Sequence, residues 1–202
     1  MKLIKSIFRE YDIRGTYPEE INEDSISKIA QAIALKCKEE GVLDISVGRD
    51  GRLSGKTLLN AMCDSLSRSD ISVTNIGLVT SPILYYAAKK SNSKSGIMIT
   101  GSHNPKNDNG IKMVINNKPV SGTEIYSLTH STSELQDATE IKIKTDIIKD
   151  YINDVLGKIK LNKTKKIKVV IDCGNGAAGC VAPELFKKLG CEVINLFSEI
   201  DG

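Results

Sequence analysis

The strongest constraint on this chain is the regular alternation of short apolar strands and amphipathic helices along its 202 residues. In the first helix, apolar residues recur at helical spacing, Asn22 or Asp24 can cap the start, and Gly41 can end it. The pattern predicts helices over 24–40, 54–67, 123–129 and 146–159, strands over 43–47, 71–76, 97–100, 111–115 and 118–120, and a turn over 48–51. Such an alternation builds a mostly parallel sheet with helices on both faces.

The predicted fold class is α/β, in two units. Residues 1–140 are predicted to form a three-layer α/β/α domain with a mixed, mostly parallel sheet and one antiparallel hairpin after Gly110. Residues 141–202 are predicted to hold a linker helix and one strand–loop–helix–strand unit, with the lysine-rich segment 158–168 as the boundary candidate. One such unit cannot bury both faces of its strands. We therefore expect an incomplete second α/β domain of the same kind.

Composition excludes several classes of function. The 28 basic and 25 acidic residues leave a net charge of only +3, and six tyrosines, three phenylalanines and no tryptophan form no platform for stacking bases. No apolar run is long enough to span a bilayer or to serve as a secretion signal. We expect a cytoplasmic protein without a nucleic-acid or membrane partner, and nothing in the sequence indicates its oligomeric state.

The five cysteines do not indicate a disulfide framework or a zinc site. Their number is odd, no C-x-x-C pair occurs, and no histidine lies at ligand spacing beside them. Cys37 lies on the apolar face of a helix and Cys173 ends a strand, so both are predicted to be small buried hydrophobes.

A glycine-rich turn in the second unit permits two interpretations. Gly174-x-Gly176-x-x-Gly179 follows a strand and opens a helix, with Glu199 about twenty residues further on. That spacing fits a dinucleotide-binding fingerprint, in which the backbone approaches a pyrophosphate. It fits equally a tight strand-to-helix turn without a ligand.

The loop Thr100–Pro105 is the sharper candidate. It carries Ser102 and His103 at the carboxyl end of a buried strand, where function is usually placed in a parallel sheet. Neighbouring side chains diverge and no G-x-S-x-G elbow is present, so a hydrolase dyad is not indicated. Gly101 would allow another group to approach closely. The alternative is a turn that closes its own hydrogen bonds.

Four cationic side chains could bind an anion such as phosphate. They are Arg14, Lys112 and the pair Arg49 and Arg52 in the predicted turn. Guanidinium and ammonium groups make charge-assisted hydrogen bonds to phosphate oxygens. Each could also be an ordinary surface ion pair.

Four segments occur together in a familiar order. They are Phe8–Gly15 (FREYDIRG), Gly48–Arg52 (GRDGR), Thr100–Pro105 with Asn109–Lys112 (TGSHNP and NGIK), and Asp172–Gly176 (DCGNG). Together they resemble the α-D-phosphohexomutase family, of the phosphomannomutase/phosphoglucomutase type, over the whole chain. In that family the GNG turn opens the second domain and binds no dinucleotide.

The resemblance implies a reaction and a set of residues. Family members interconvert hexose 6-phosphate and hexose 1-phosphate through a phosphoserine and a hexose 1,6-bisphosphate, which also serves as activator, and they use Mg²⁺. By this resemblance Ser102 is the phosphoserine and binds the metal through its phosphate. Arg14, His103 and Lys112 are then catalytic, with Lys112 or His103 as general acid/base. Tyr11, Arg14 and Lys112 contact the phosphorylated hexose.

Parts of the family pattern are absent from these 202 residues. The sequence contains no DGDGD-R magnesium loop, and the sugar-recognition and phosphate-gripping loops of the later domains are also missing. We therefore expect the chain to be an N-terminal fragment that is inactive as an isolated mutase.

The identity of the sugar stays open at this point. Gly101 before Ser102, and Tyr11-Asp12 before Ile13, favour mannose and glucose phosphates over glucosamine phosphate by resemblance. The alternatives are a phosphoglucosamine mutase, or a non-catalytic module that binds a nucleotide or a sugar phosphate.

Overall fold

The computed structural model describes residues 3–131, 135–159, 161 and 167–202. The α-helices are α1 (Glu23–Glu39), α2 (Gly55–Ser67), α3 (Ser81–Lys90), α4 (Gly122–Leu128), α5 (Ile147–Lys158) and α6 (Ala182–Lys188). The strands are β1 (Ile13–Thr16), β2 (Asp44–Arg49), β3 (Ser72–Leu78), β4 (Gly96–Ile99), β5 (Asp108–Ile115), β6 (Lys118–Pro119), β7 (Ile141–Ile143), β8 (Lys168–Asp172) and β9 (Glu192–Leu196). The four helices predicted by residue range are all present, within one residue of the predicted ends.

The start of α1 follows directly from its capping residues. The Asn22 side chain accepts a hydrogen bond from the Ser25 backbone N–H, and the Asn22 backbone N–H donates to the Ser25 hydroxyl. This reciprocal pair satisfies two donors that the first turn of a helix cannot bond internally. Of the two predicted capping residues, Asn22 is therefore the one used.

Seven strands of the described chain form the main sheet, in the order β1-β5-β4-β2-β3-β7, with β6 paired to β5. The pairs β2–β3, β2–β4 and β3–β7 are parallel, whereas β1–β5, β4–β5 and β5–β6 are antiparallel. The sheet is mixed, as predicted, and the hairpin after Gly110 is confirmed.

The parallel share of the sheet is smaller than expected, because two antiparallel pairings were not anticipated. The connection from Ile99 to Asp108 is too short for the crossover that a parallel neighbour requires, so β5 runs back along β4. The first strand, β1, was missed altogether. Its residues, Ile13–Thr16, show no long apolar alternation, and their pairing partner β5 lies almost a hundred residues further on.

Helices cover both faces of the sheet and so create the three predicted layers. Residues from α1, α2 and α4 share one apolar core with the sheet. Residues from α3 and α5 form a second core on the opposite face, around Ile83, Leu84 and Ile152. Across the described part of the chain, no helix is long and apolar enough to cross a membrane.

The predicted turn over 48–51 begins too early. β2 continues through Gly48 and Arg49, which pair with Gly77 and Leu78 of β3 after a shift of register at Val47/Gly48. A Cβ atom at Gly48 would lie 2.8 Å from a methyl carbon of Val79, so the glycine allows the strand to pass this side chain. The turn proper therefore starts at Asp50.

The second unit has the predicted order. β8 and β9 pair in parallel, and the segment between them holds a 3-10 helix (Ala177–Cys180) and α6. Val181 joins the core formed by α3 and α5, which attaches this unit to the first. β7 pairs with β3, so the first sheet continues past the proposed domain limit at residue 140 to Ile143. In the predicted boundary segment, residues 160 and 162–166 lie outside the described residues.

The cysteines divide by burial. Cys37 and Cys63 are buried, and burial raises the pKa of each thiol to about 12. Cys173 is only half-buried, which corrects the prediction for that residue. Its strand β8 has only one partner strand in the described part of the chain, so its surroundings are more open than a core.

We expect Cys37 and Cys63 to resist alkylation in the native chain. At about pH 8 a thiol with so high a pKa is ionised in only roughly one molecule in 10⁴, and the thiolate is the reactive form. A short iodoacetamide pulse followed by peptide mass spectrometry measures this, with half-buried Cys191 as the internal reference. Labelling of Cys37 at the rate of Cys191 would contradict the burial, and labelling of all five in denaturant is the control.

Candidate active site

The loop after β4 holds Ser102 in an unusual backbone conformation. Ser102 has a φ of +55° and is exposed. For a residue with a Cβ atom, this left-handed conformation costs about 1–2 kcal/mol. The Ser102 backbone N–H donates to Thr100 Oγ1 at 2.9 Å, and Asn104 N–H donates to the Gly101 carbonyl at 3.0 Å. The turn therefore does close its own hydrogen bonds, while Ser102 itself stays exposed.

Asp50, at the end of β2, fixes the base of this loop. One carboxylate oxygen accepts hydrogen bonds from Thr100 Oγ1 at 2.6 Å and from Gly101 N–H at 3.2 Å. The other oxygen accepts the backbone N–H of Arg52 at 3.2 Å. Parallel pairing of β2 with β4 brings the ends of the two strands side by side, which is why residues fifty positions apart meet here.

Arg52 contacts the same loop through its guanidinium. Its guanidinium donates to the carbonyl oxygens of Ser102 and Asn104 at 3.3 and 2.7 Å, and to those of Pro105 and Asp108. A Cβ atom at Gly101 would lie 2.1 Å from Arg52 Cζ, so Arg52 is the group whose close approach this glycine permits.

Arg14 reaches the loop from β1. Its Nε donates to the Asp12 carboxylate at 2.7 Å, and Nη1 donates to the Asn104 side-chain oxygen at 3.0 Å. Asn104 in turn donates to the Asp108 carboxylate at 3.0 Å. Arg14 is thus held by contacts that tie β1 to the serine loop.

A cavity of about 520 Å³ opens between this loop and the second unit. Ser102 and His103 line it, together with Lys106 and Arg52. From the second unit, the turn Gly174–Ala177 and the residues Asp201 and Gly202 contribute to the wall.

The other predicted site residues are not among those that line this cavity. Arg14 contacts the lining residue Asn104, whereas Tyr11 is 82% exposed. Lys112 is half-buried in β5 opposite Met98, which does line the cavity. Directly opposed residues of antiparallel strands share a face, so Lys112 lies on the cavity side of the sheet.

Two sequence profiles of one protein family match this chain. Residues 5–136 match the sequence profile of phosphoglucomutase/phosphomannomutase alpha/beta/alpha domain I, and residues 149–202 match that of domain II. The chain belongs to the phosphoglucomutase/phosphomannomutase family. Its fold class and the resemblance noted from its sequence are thereby confirmed.

Named relatives agree with this assignment. A phosphomannomutase/phosphoglucomutase of Pseudomonas putida is 45% identical over 98% of this chain, and a phosphoglucomutase of Neisseria gonorrhoeae is 40% identical over 99%. The chain spans only 42% and 44% of the lengths of these two proteins. The crystal structure of a phosphoglucomutase/phosphomannomutase family protein from Burkholderia thailandensis superposes with a TM-score of 0.88 at 34% identity, covering 99% of this chain and 45% of that one.

In this phosphohexomutase-family chain two of the three fingerprint glycines, Gly174 and Gly179, have a local structural explanation. Gly174 has a φ of +52°, which favours glycine. A Cβ atom at Gly179 would lie 2.1 Å from the Ser198 carbonyl oxygen, so the turn packs against the backbone that follows β9. Asn175 donates its side-chain N–H to the Glu199 carbonyl at 2.8 Å. These contacts account for the spacing as a tight turn, without a dinucleotide.

Asp50, Lys106 and the specific contacts of Arg52 were missed as site features by sequence reasoning. Arg52 was singled out only as a cation in a turn, and Asp50 only as part of the predicted turn over 48–51. The repeated charges of Gly48–Arg52, directly after a buried strand, were the available signal.

The described residues do not by themselves provide a magnesium site. Ser102 could offer only phosphate oxygens, and the Asp50 carboxylate already accepts hydrogen bonds from Thr100, Gly101 and Arg52. In the described ranges, no three His, Cys, Asp or Glu side chains are grouped to hold a metal ion.

Proposed function

We propose that this chain supplies the phosphoryl-carrying part of a phosphohexomutase that interconverts the 6- and 1-phosphates of mannose and glucose. One observation supports this most: Ser102 is exposed at the cavity wall, in a left-handed conformation that hydrogen bonds to Thr100 and Arg52 hold in place. Strained backbone conformations persist where the surrounding structure maintains them, and they concentrate at functional sites.

In the proposed reaction, the phosphoryl group moves twice. Phosphorylated Ser102 transfers it to a free hydroxyl of the hexose monophosphate, which breaks the Ser102 Oγ–P bond and forms the 1,6-bisphosphate. The sugar then returns its other phosphoryl group to Ser102 Oγ and leaves as the isomeric monophosphate. Phosphoryl transfer depends chiefly on positioning and on stabilising charge, which suits a fixed serine beside cationic groups.

The remaining predicted residues take supporting roles in this proposal. His103 or Lys112 would accept and return the hydroxyl proton, and Tyr11 would contact the sugar. Arg14 is suited to bind phosphate, because in the described contacts its Nη2 hydrogens have no protein partner. The family resemblance implies magnesium bound through the Ser102 phosphate, and hexose 1,6-bisphosphate as activator. The cytoplasmic location is an expectation from composition.

A direct assay of substrates tests the function. Full-length protein, primed with hexose 1,6-bisphosphate, is given mannose 1-phosphate, glucose 1-phosphate or glucosamine 1-phosphate in turn, and the 6-phosphates are measured by coupled assays. We expect conversion of the first two, and no turnover by the 202-residue chain alone, since it contains no DGDGD-R loop.

Two outcomes would contradict the proposal. Conversion of glucosamine phosphate alone would favour a phosphoglucosamine mutase. A 36% identical relative from Methanosphaera stadtmanae is named probable phosphoglucosamine mutase. Saturable binding of sugar phosphate without any conversion by the full-length protein would indicate a non-catalytic binding module.

A further inference from the structure

Arg52 lies in the cavity wall close to Ser102, where an arginine would ordinarily be assigned to substrate phosphate. We propose instead that Arg52 is a positioning residue: it holds the Ser102 loop in its reactive shape and does not bind the substrate. This inference rests on the proposed function, in which Ser102 carries the phosphoryl group.

The hydrogen-bond donors of Arg52 are fully used within the protein. A guanidinium has five N–H donors. Nη1 donates to the Pro105 and Asp108 carbonyls, Nη2 donates to the Ser102 and Asn104 carbonyls, and Nε lies 3.4 Å from the Asp50 carboxylate. No donor remains for a phosphate oxygen unless a bond to the loop is first broken.

The burial of Arg52 supports the same assignment. The residue is 9% exposed, and its guanidinium occupies the space that a Cβ atom at Gly101 would need. Moving it toward a ligand would leave four carbonyl oxygens without their donor. Hydrogen bonds from a charged donor are among the stronger ones in proteins, so losing several of them is unfavourable and the guanidinium is held where it lies.

These hydrogen bonds from Arg52 fix the backbone at Ser102. Between Ile99 and Asp108 the chain has no helix or strand; three carbonyl groups of this segment and that of Asp108 accept hydrogen bonds from the Arg52 guanidinium. The Ser102 carbonyl is one of the four, while its N–H is held by Thr100. Both sides of the strained residue are thus anchored, and Arg52 provides one of the two anchors.

Arg14 offers an internal contrast. The described contacts engage its Nε and Nη1 but leave Nη2 without a protein partner. Two arginines beside the same loop therefore have opposite capacities: Arg14 can still bind an anion, and Arg52 cannot.

The first test uses the unmodified chain, so that it does not depend on a variant folding. Arginine side-chain N–H signals of the 202-residue chain are recorded by ¹⁵N NMR during titration with inorganic phosphate, and then with glucose 1-phosphate. We expect slowly exchanging Arg52 Nη–H signals that do not move, whereas the Arg14 signals shift. A saturable shift of the Arg52 Nη–H signals with phosphate would overturn the proposal.

The second test separates positioning from binding in the full-length enzyme. In Arg52→Met we expect kcat to fall about 100-fold, because a small misplacement of a reacting group reduces the rate by about that factor. We expect the KM for the monophosphate to stay nearly unchanged. Arg52→Lys should recover little of that rate, since lysine has only three donors and no planar fork. Arg68→Met, at the C-cap of α2 where the arginine side chain is 42% exposed, is the matched control.

The outcomes distinguish this inference from the function on which it rests. A raised KM with unchanged kcat in Arg52→Met would show substrate binding and refute positioning. If Arg52→Met fails to fold, the titration of the unmodified chain still decides the point. Failure of the full-length protein to convert any hexose phosphate would refute the function, whereas the NMR result on the Arg52 donors would stand.

Discussion

Replacing Ser102 by alanine in the full-length protein should reduce mutase turnover by roughly four orders of magnitude or more, as for other covalent nucleophiles. Alanine has no oxygen to carry the phosphoryl group between the two positions of the sugar. The fold should persist, because the contacts of Ser102 with Thr100 and Arg52 use its backbone N–H and carbonyl. The measurement is a coupled assay of glucose 6-phosphate formation from glucose 1-phosphate.

The control for this substitution is Ser127→Ala. Ser127 is an exposed serine of α4 whose hydroxyl bonds only to the Glu124 carbonyl in the described contacts. Its loss should leave turnover within about twofold, as usual for a surface substitution. Turnover above a tenth of wild type in Ser102→Ala would contradict the assignment of the nucleophile.

The largest expected effect on stability comes from Gly110→Ala. Gly110 is buried in β5, between β1 and the start of the serine loop. A Cβ atom there would lie 2.4 Å from the Ile13 carbonyl oxygen and 3.0 Å from that of Thr100, and neither backbone can move without breaking the sheet. Overpacking of this kind costs about 3 kcal/mol. For a chain of this size that corresponds to a fall in Tm of roughly 6–12 °C.

Gly157→Ala is the matched control for stability. Gly157 lies in α5, and a Cβ atom there would meet no atom within 4 Å. Alanine should stabilise the helix by up to about 1 kcal/mol. Thermal unfolding followed by circular dichroism compares the two variants with the wild type. Equal Tm values for Gly110→Ala and Gly157→Ala would show that β1 does not pack against Gly110 as described.

The elements that could be predicted from sequence are those with local determinants. Capping at Asn22 and an apolar face with helical spacing define α1, and the pair Asn116-Asn117 marks the hairpin between β5 and β6. Both asparagines have positive φ, as the favoured two-residue hairpin turn requires. In contrast, β1 and the direction of β5 depend on pairing between distant residues, which no local pattern reveals.

The candidate site likewise has features that could be predicted from local sequence and features that depend on distant contacts. Ser102 and His103 could be singled out because an abrupt loop follows an apolar strand, and the structure places both at the cavity. The fixation of that loop by Asp50 and Arg52 could not be predicted, since it depends on the pairing of β2 with β4 and on the space at Gly101. A sequence lists cations but does not show which hydrogen-bond donors are already used.

Mapping the phosphate itself shows whether Ser102 carries the phosphoryl group. Full-length protein is incubated with hexose 1,6-bisphosphate, digested, and analysed by mass spectrometry before and after addition of excess hexose monophosphate. We expect the mass of one phosphoryl group on the peptide containing Ser102, and its partial loss once the monophosphate accepts it. Phosphate on another residue, or a Ser102 peptide that stays unmodified while the enzyme turns over, would contradict the account.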